Sequence, residues 1–151
     1  MSDFNTVEEI LNYAIEMEQK AIDLYTDLAE KAQAEITRKV FLGFANEERG
    51  HKAKLQGVKA GRKPLMAGGA VVDLRISDYI NDVVLGEKPT YAEALVFAMK
   101  QEKQAFRMYT DLAERTDSEE LRVLFLALAQ EEAKHKLRFE LEYDEHHLTE
   151  N

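Results

Sequence analysis

Half of this chain is repeated in the other half, and that duplication limits the available folds more than any other feature. Shifting the sequence by 84 positions brings Thr6 onto Thr90, Glu18 onto Glu102, and "YTDLAE" at 25–30 onto "YTDLAE" at 109–114. The same shift brings "EERGHK" at 47–52 onto "EEAKHK" at 131–136. Roughly 20 of 50 positions agree without a gap, far more than shared helical composition would give.

Each copy reads as two helices. Leu11, Ala14, Ile15, Ala21, Ile22, Tyr25 and Leu28 recur at three- and four-residue steps, as do Val40, Phe41, Phe44 and Leu55, the spacing of one buried helical face. Thr6 with Glu9, and Thr90 with Glu93 just after Pro89, read as capping boxes that start a helix in each copy. Between the copies, residues 60–89 read "AGRKPLMAGGAVVDLRISDYINDVVLGEKP". Their glycines and prolines predict a loop, with "DLRISDYINDVV" as one short helix. A connection of about 30 residues exceeds what two helix ends at the same end of a bundle need, so it is expected to run along the bundle. The predicted fold is all-α: a four-helix bundle made of two repeated hairpins, about 6–57 and 90–145, joined by a long crossover in a single domain spanning 1–151.

Composition excludes several function classes. A chain of 151 residues buries a full core without disulfide or metal staples. A formal charge of −9 and no local basic patch argue against nucleic acid or an anionic membrane as partner. With no cysteine, thiolate zinc sites, cysteine-ligated iron-sulfur centres and cysteine nucleophiles are all excluded, so any metal must be held by oxygen and imidazole. The N-terminal segment has no basic region followed by an apolar one, and no run of about 18 apolar residues occurs. The expected location is the cytoplasm.

The repeated glutamates carry the chemistry. With the first hairpin turning near Gln33 and the second near Asp117, Glu18 is level with Glu48, and Glu102 with Glu132. Each lies about 22 Å from its turn at about 1.5 Å per residue. His51 and His135 follow Glu48 and Glu132 by three residues, which puts each pair on one helix face. Glu48 shares its stripe with Phe41, Phe44 and Leu55, and Glu132 with Phe125, Leu128 and Phe139. Glu18 sits between Ile15 and Ile22, and Glu102 between Met99 and Phe106. All four carboxylates are therefore expected in the core, where they must be compensated by cations or protonated. Four carboxylates and two neutral imidazoles suit two divalent first-row ions, with iron or manganese favoured and zinc able to substitute.

Glu18, "EERGH", Glu102 and "EEAKH", in that order, resemble the ligand pattern of the ferritin-like di-iron carboxylate superfamily, most closely its rubrerythrin-like branch. The resemblance implies that Glu48 and Glu132 bridge two iron ions, with Glu18 and His51 completing one and Glu102 and His135 the other. It also implies reduction of peroxide or O2, with electrons from an external donor protein, because the rubredoxin-like centre of typical rubrerythrins needs cysteines. Rubrerythrins tend to carry a further glutamate three residues after the third-helix ligand. Here that position is Ala105, with Ala21 as its repeat mate, and the remaining six-ligand set resembles that of bacterioferritin.

Other residues allow plainer readings. Tyr25 and Tyr109 lie two turns beyond Glu18 and Glu102; each could hydrogen-bond a ligand carboxylate, serve electron transfer, or be a buried tyrosine with a satisfied hydroxyl. Glu47 and Glu131 are expected to face outward. His146 and His147 fall in a polar tail, and the methionines read as core filler. Three functions stay open: a di-metal oxidoreductase, an iron-binding or ferroxidase (storage) protein, and a metal-free structural bundle with protonated core acids. One chain supplies all six ligands, so a homodimer is possible but not required.

Overall fold

The computed structural model describes residues 6–61 and 90–150, with side chains described to residue 145. All regular structure among them is helical: α1 (Val7–Lys31), α2 (Glu35–Gly61), α3 (Tyr91–Arg115) and α4 (Glu119–Glu150). The short helix expected within 62–89 lies outside the described residues, as do the side chains of His146 and His147.

Local chemistry sets the boundaries. Thr6, in extended conformation, accepts the Glu9 N–H at 3.1 Å and starts α1. At α3 the box is complete, with Thr90 taking the Glu93 N–H and the Glu93 carboxylate taking the Thr90 N–H at 2.9 Å. Ser118 accepts the Leu121 N–H at 3.2 Å and so caps α4. The extended caps Ala32 and Thr116 close α1 and α3. The hairpin turns therefore fall at 32–34 and 116–118, where level glutamates require them.

The core has two apolar halves. One joins the first half of α1 (Leu11, Ala14) to the end of α2 (Leu55), the end of α3 (Tyr109, Leu112) and the start of α4 (Phe125, Leu128). The other joins the end of α1 (Tyr25, Leu28), the start of α2 (Phe41, Phe44), the start of α3 (Leu95, Ala98) and Phe139 of α4. Neighbouring helices accordingly run antiparallel, and Gly61 of α2 and Tyr91 of α3 lie at opposite ends of the bundle. Each fully buried Phe or Leu contributes about 1.5–3 kcal/mol. The packing at one end is aromatic: Phe44 lies 4.1 Å from Phe139 and 5.9 Å from Tyr25, centroid to centroid. One expectation is corrected. Phe106 is 39% exposed, because Ala98 and Ala105, each one turn from Glu102, occupy the inward stripe of α3.

Candidate metal centre

Between the two apolar halves lies a polar layer built from all four helices. Glu18, Glu48, His51, Glu102, Glu132 and His135 are all buried, none more than 5% exposed. Their placement follows from helix periodicity. Glu18 stands one turn from buried Ala14, Ala21 and Ile22, Glu48 one turn from Phe44, Ala45 and His51, and Glu132 one turn from Leu128, Ala129 and His135.

Both imidazoles turn Nδ1 toward the carboxylates. His51 Nδ1 is 2.8 Å from Glu48 Oε1, 3.6 Å from Glu132 Oε1 and 3.7 Å from Glu18 Oε2. His135 Nδ1 is 2.8 Å from Glu102 Oε2, 3.3 Å from Glu132 Oε1 and 3.9 Å from Glu48 Oε1. The rings lie nearly parallel at 11°, centroids 5.7 Å apart. Two groups emerge, Glu18–Glu48–His51–Glu132 and Glu48–Glu102–Glu132–His135, each with one potential ligand atom per residue lying within 4.8 Å of the others. Glu48 and Glu132 belong to both. The six residues singled out in the sequence are thus brought together, with the two Glu-x-x-His glutamates at the centre.

The hydrogen bonding of the protein does not satisfy this layer. Glu18 Oε1, both Glu48 oxygens, Glu102 Oε1, Glu132 Oε1 and His51 Nδ1 are buried without a hydrogen-bond partner among the described residues. The 2.8 Å approach of His51 Nδ1 to Glu48 is close but not aligned as a hydrogen bond. Leaving such groups unpaired costs about 1–3 kcal/mol each, and more for charged ones. Burial, then the Glu48 charge, pushes the Glu18 carboxyl up to about 7. Burial pushes Glu102 and Glu132 well above the usual range, and neighbouring carboxylates add to it. At His51, burial opposes the charged form, but the Glu18 and Glu48 carboxylates outweigh it and raise the ring to about 10. A site that pulls protons onto its acids and its imidazole is one that divalent cations fit: two of them would balance four carboxylates, and the unpaired oxygens and Nδ1 are donors they could take.

The tyrosines flank this layer asymmetrically. Tyr109 donates to Glu18 Oε2 at 2.5 Å, reaching from the second repeat to the first. Tyr25 lies beside Glu102 but its hydroxyl forms no aligned hydrogen bond. Burial, reinforced by the adjacent carboxylates, raises both phenols well above 10 and keeps them neutral donors. Against α1 and α3, a cavity of about 10 Å³ is lined by Met17, Ala21, Gln101, Ala105 and Met108 together with Glu18, Glu102, Glu132 and Tyr109. Its volume is about that of one water.

Glu47 departs from expectation. It is half-exposed, yet its Oε1 is 3.1 Å from His135 Nε2 and its Oε2 is 2.9 Å from Arg138 Nη1. Burial works against its charge, but His135 and Arg138 hold its carboxyl below the ordinary range. Ionised, it can only accept, so Nε2 carries the hydrogen and Nδ1 is left to face the carboxylates. Glu131, its repeat mate, pairs with Lys134 at 3.3 Å and does stay on the outer surface. The sequence signal was the pairing of Glu47 with Arg138 across repeats, which periodicity within one helix does not reveal.

No described helix is long and apolar enough to cross a membrane. Comparison with known proteins agrees with the geometry. No curated protein sequence matches significantly. Among solved structures, a hypothetical protein from Pyrococcus furiosus is 28% identical, with a TM-score of 0.69 over 91% of this chain and 87% of that one. A Thermotoga maritima protein, provisionally described as a ferritin-like diiron-carboxylate protein, is 19% identical and shares the fold, with a TM-score of 0.76 over 96% of this chain and 99% of that one. The profile of the rubrerythrin family matches residues 9–64 and 93–151, well over half the chain and including all six clustered ligand candidates, and the protein therefore belongs to that family.

Proposed function

We propose that the six side chains hold two metal ions, iron in the native state with manganese or zinc able to substitute, and that the protein is an oxidoreductase reducing hydrogen peroxide or O2. The observation that carries this reading is the sharing of Glu48 and Glu132 between two four-residue groups. Glu48 and Glu132 would serve both ions, with Glu18 and His51 completing the ligand set of one and Glu102 and His135 that of the other. An oxygen-rich set with one imidazole per ion suits iron or manganese. Bound ferrous ions would supply the two electrons that, with two protons, convert hydrogen peroxide to two waters.

The chain's own residues would serve that chemistry directly. Tyr109 fixes Glu18 Oε2 and so leaves Oε1 as the free donor. The apolar walls of the cavity, Met17, Ala21, Ala105 and Met108, would shield the adjoining carboxylates from bulk water. Electrons would return from an external donor protein, there being no cysteine for a rubredoxin-like centre in this chain. The test is anaerobic loading with Fe2+ followed by rapid mixing with peroxide or O2. Oxidation of about two ferrous ions per chain is expected; a protein left ferrous by both oxidants would remove redox catalysis.

One observation favours a second reading. Ala105 faces the cavity where rubrerythrins tend to carry a further glutamate, so the site keeps a six-ligand set of the kind a ferroxidase uses, with Fe2+ as substrate. Repeated turnover of Fe2+ well beyond two ions per chain, in an assembly large enough to enclose the product, would mark that function.

A further inference from the structure

Resting on the reading that the six side chains hold metal, we infer that the two ion positions are unequal: Glu47 is a positioning residue for His135, and the Glu102–His135 half takes its ion first and holds it more tightly than the Glu18–His51 half. An imidazole can bind well only if its ring plane is held, since rotation about its outer torsion meets a broad and shallow potential. His135 is held on three sides. Glu47 Oε1 accepts from Nε2 at 3.1 Å, Phe44 meets the ring edge-on at 85° and 5.0 Å, and Glu102 Oε2 lies 2.8 Å from Nδ1. Glu47 is itself anchored, because Arg138 bonds its second oxygen at 2.9 Å while lying 4.4 Å over the Phe44 ring. Glu47, Arg138, Phe44 and His135 form a closed clamp joining α2 to α4.

Among the described residues, the pseudo-symmetric half has no such clamp. The counterparts of Glu47, Arg138 and Phe44 are Glu131, Lys54 and Leu128. Leu128 offers no aromatic face, Lys54 is exposed, and Glu131 pairs with Lys134, which stands where the first repeat has Gly50. The Nδ1 atom of His51 approaches three carboxylates but forms an aligned hydrogen bond with none. The duplication thus gave two similar ligand sets, and divergence outside them fixed only one histidine. Preorganised ligands lose less freedom on binding, and a carboxylate on the outer nitrogen also makes the imidazole a stronger donor.

The experiment is an anaerobic titration of the metal-free protein with Co2+ alone, followed by visible absorption and calorimetry. The wild type should bind two ions in separable steps. Glu47→Ala should weaken the tighter step about 10–100-fold and leave the other unchanged. Glu131→Ala should alter neither step. Glu47→Gln keeps a carbonyl acceptor for Nε2 in the same shape, so it should restore most of the tighter step. Two ions bound with equal affinity, equal losses in the two alanine variants, or no loss in Glu47→Ala would overturn the inference while leaving the metal site standing. A wild type that takes up no Co2+ would instead remove the metal-binding reading, and the inference with it.

Discussion

The Tyr109 hydroxyl lies 2.5 Å from Glu18 Oε2, so the tyrosine of the second repeat serves the glutamate of the first. The exchange is nearly reciprocal, because Tyr25 of the first repeat sits beside Glu102 of the second. Neither hairpin completes its own half of the polar layer, which makes the two copies depend on each other through the site as well as through the core.

Tyr109→Phe removes the hydrogen bond that Glu18 Oε2 accepts from the phenol without opening a cavity. The metal-free variant should lose about 1–3 kcal/mol, the cost of a buried group left unpaired. Tyr25→Phe removes a hydroxyl with no aligned partner and should cost less. Urea denaturation of both variants in the presence of a chelator measures the difference, and a larger loss in Tyr25→Phe would contradict the assignment.

Much of this was legible in the sequence because it depends on period and distance alone. The 84-residue repeat and the 3.6-residue stripe place Glu18, Glu48, Glu102 and Glu132 inward and level, and the turns fall within a residue of Gln33 and Asp117. Relations between helices were not legible in this way. Periodicity put Tyr109 on the face of Glu102, but which carboxylate its hydroxyl reaches depends on how α3 packs against α1. Glu47 looked solvated because its own helix turns it outward; its partners His135 and Arg138 come from α4. The four-residue step from Glu102 puts Phe106 on the inward stripe, yet Ala105 takes that position and Phe106 is exposed, since the space beside the carboxylates is too narrow for a ring.

The metal-free protein should lose stability as pH rises. Glu18 is raised from 4.5 to about 7 in the folded state, so the fold binds more protons than the unfolded chain between those values. Its contribution is fully present below about 4.5 and is lost as pH rises through about 7. Glu102 and Glu132 shift in the same direction, and the His51 contribution, full below 6.5, is lost as pH rises through about 10. Metal loading reverses the trend, because protons compete for the ligands. Urea midpoints between about pH 5 and about pH 9 should fall with chelator and rise with Mn2+; parallel trends in the two series would count against occupancy of this site.

Shared and unshared ligands should separate by stoichiometry. Glu48 belongs to both groups and Glu18 to one. Glu48→Ala should therefore hold less than one tightly bound ion per chain after gel filtration, while Glu18→Ala retains about one, in the Glu102–His135 half. Elemental analysis decides between them, and equal retention by the two variants would show that Glu48 does not bridge.

Ala105→Glu tests how much room and charge the site tolerates. The cavity that Ala105 lines has space for about one water, so a longer side chain must displace its neighbours at a cost of about 1–3 kcal/mol. In the metal-free protein the new carboxylate also stands near Glu18, Glu102 and Glu132, and repulsion adds to that cost. With Fe2+ or Mn2+ present the same carboxylate becomes a further ligand, so the rise in melting temperature on loading should be larger than in the wild type. Ala105→Leu adds comparable bulk without charge, and metal should recover less of its loss. Equal recovery in the two variants would mean that a side chain at 105 reaches the cavity but not the ions.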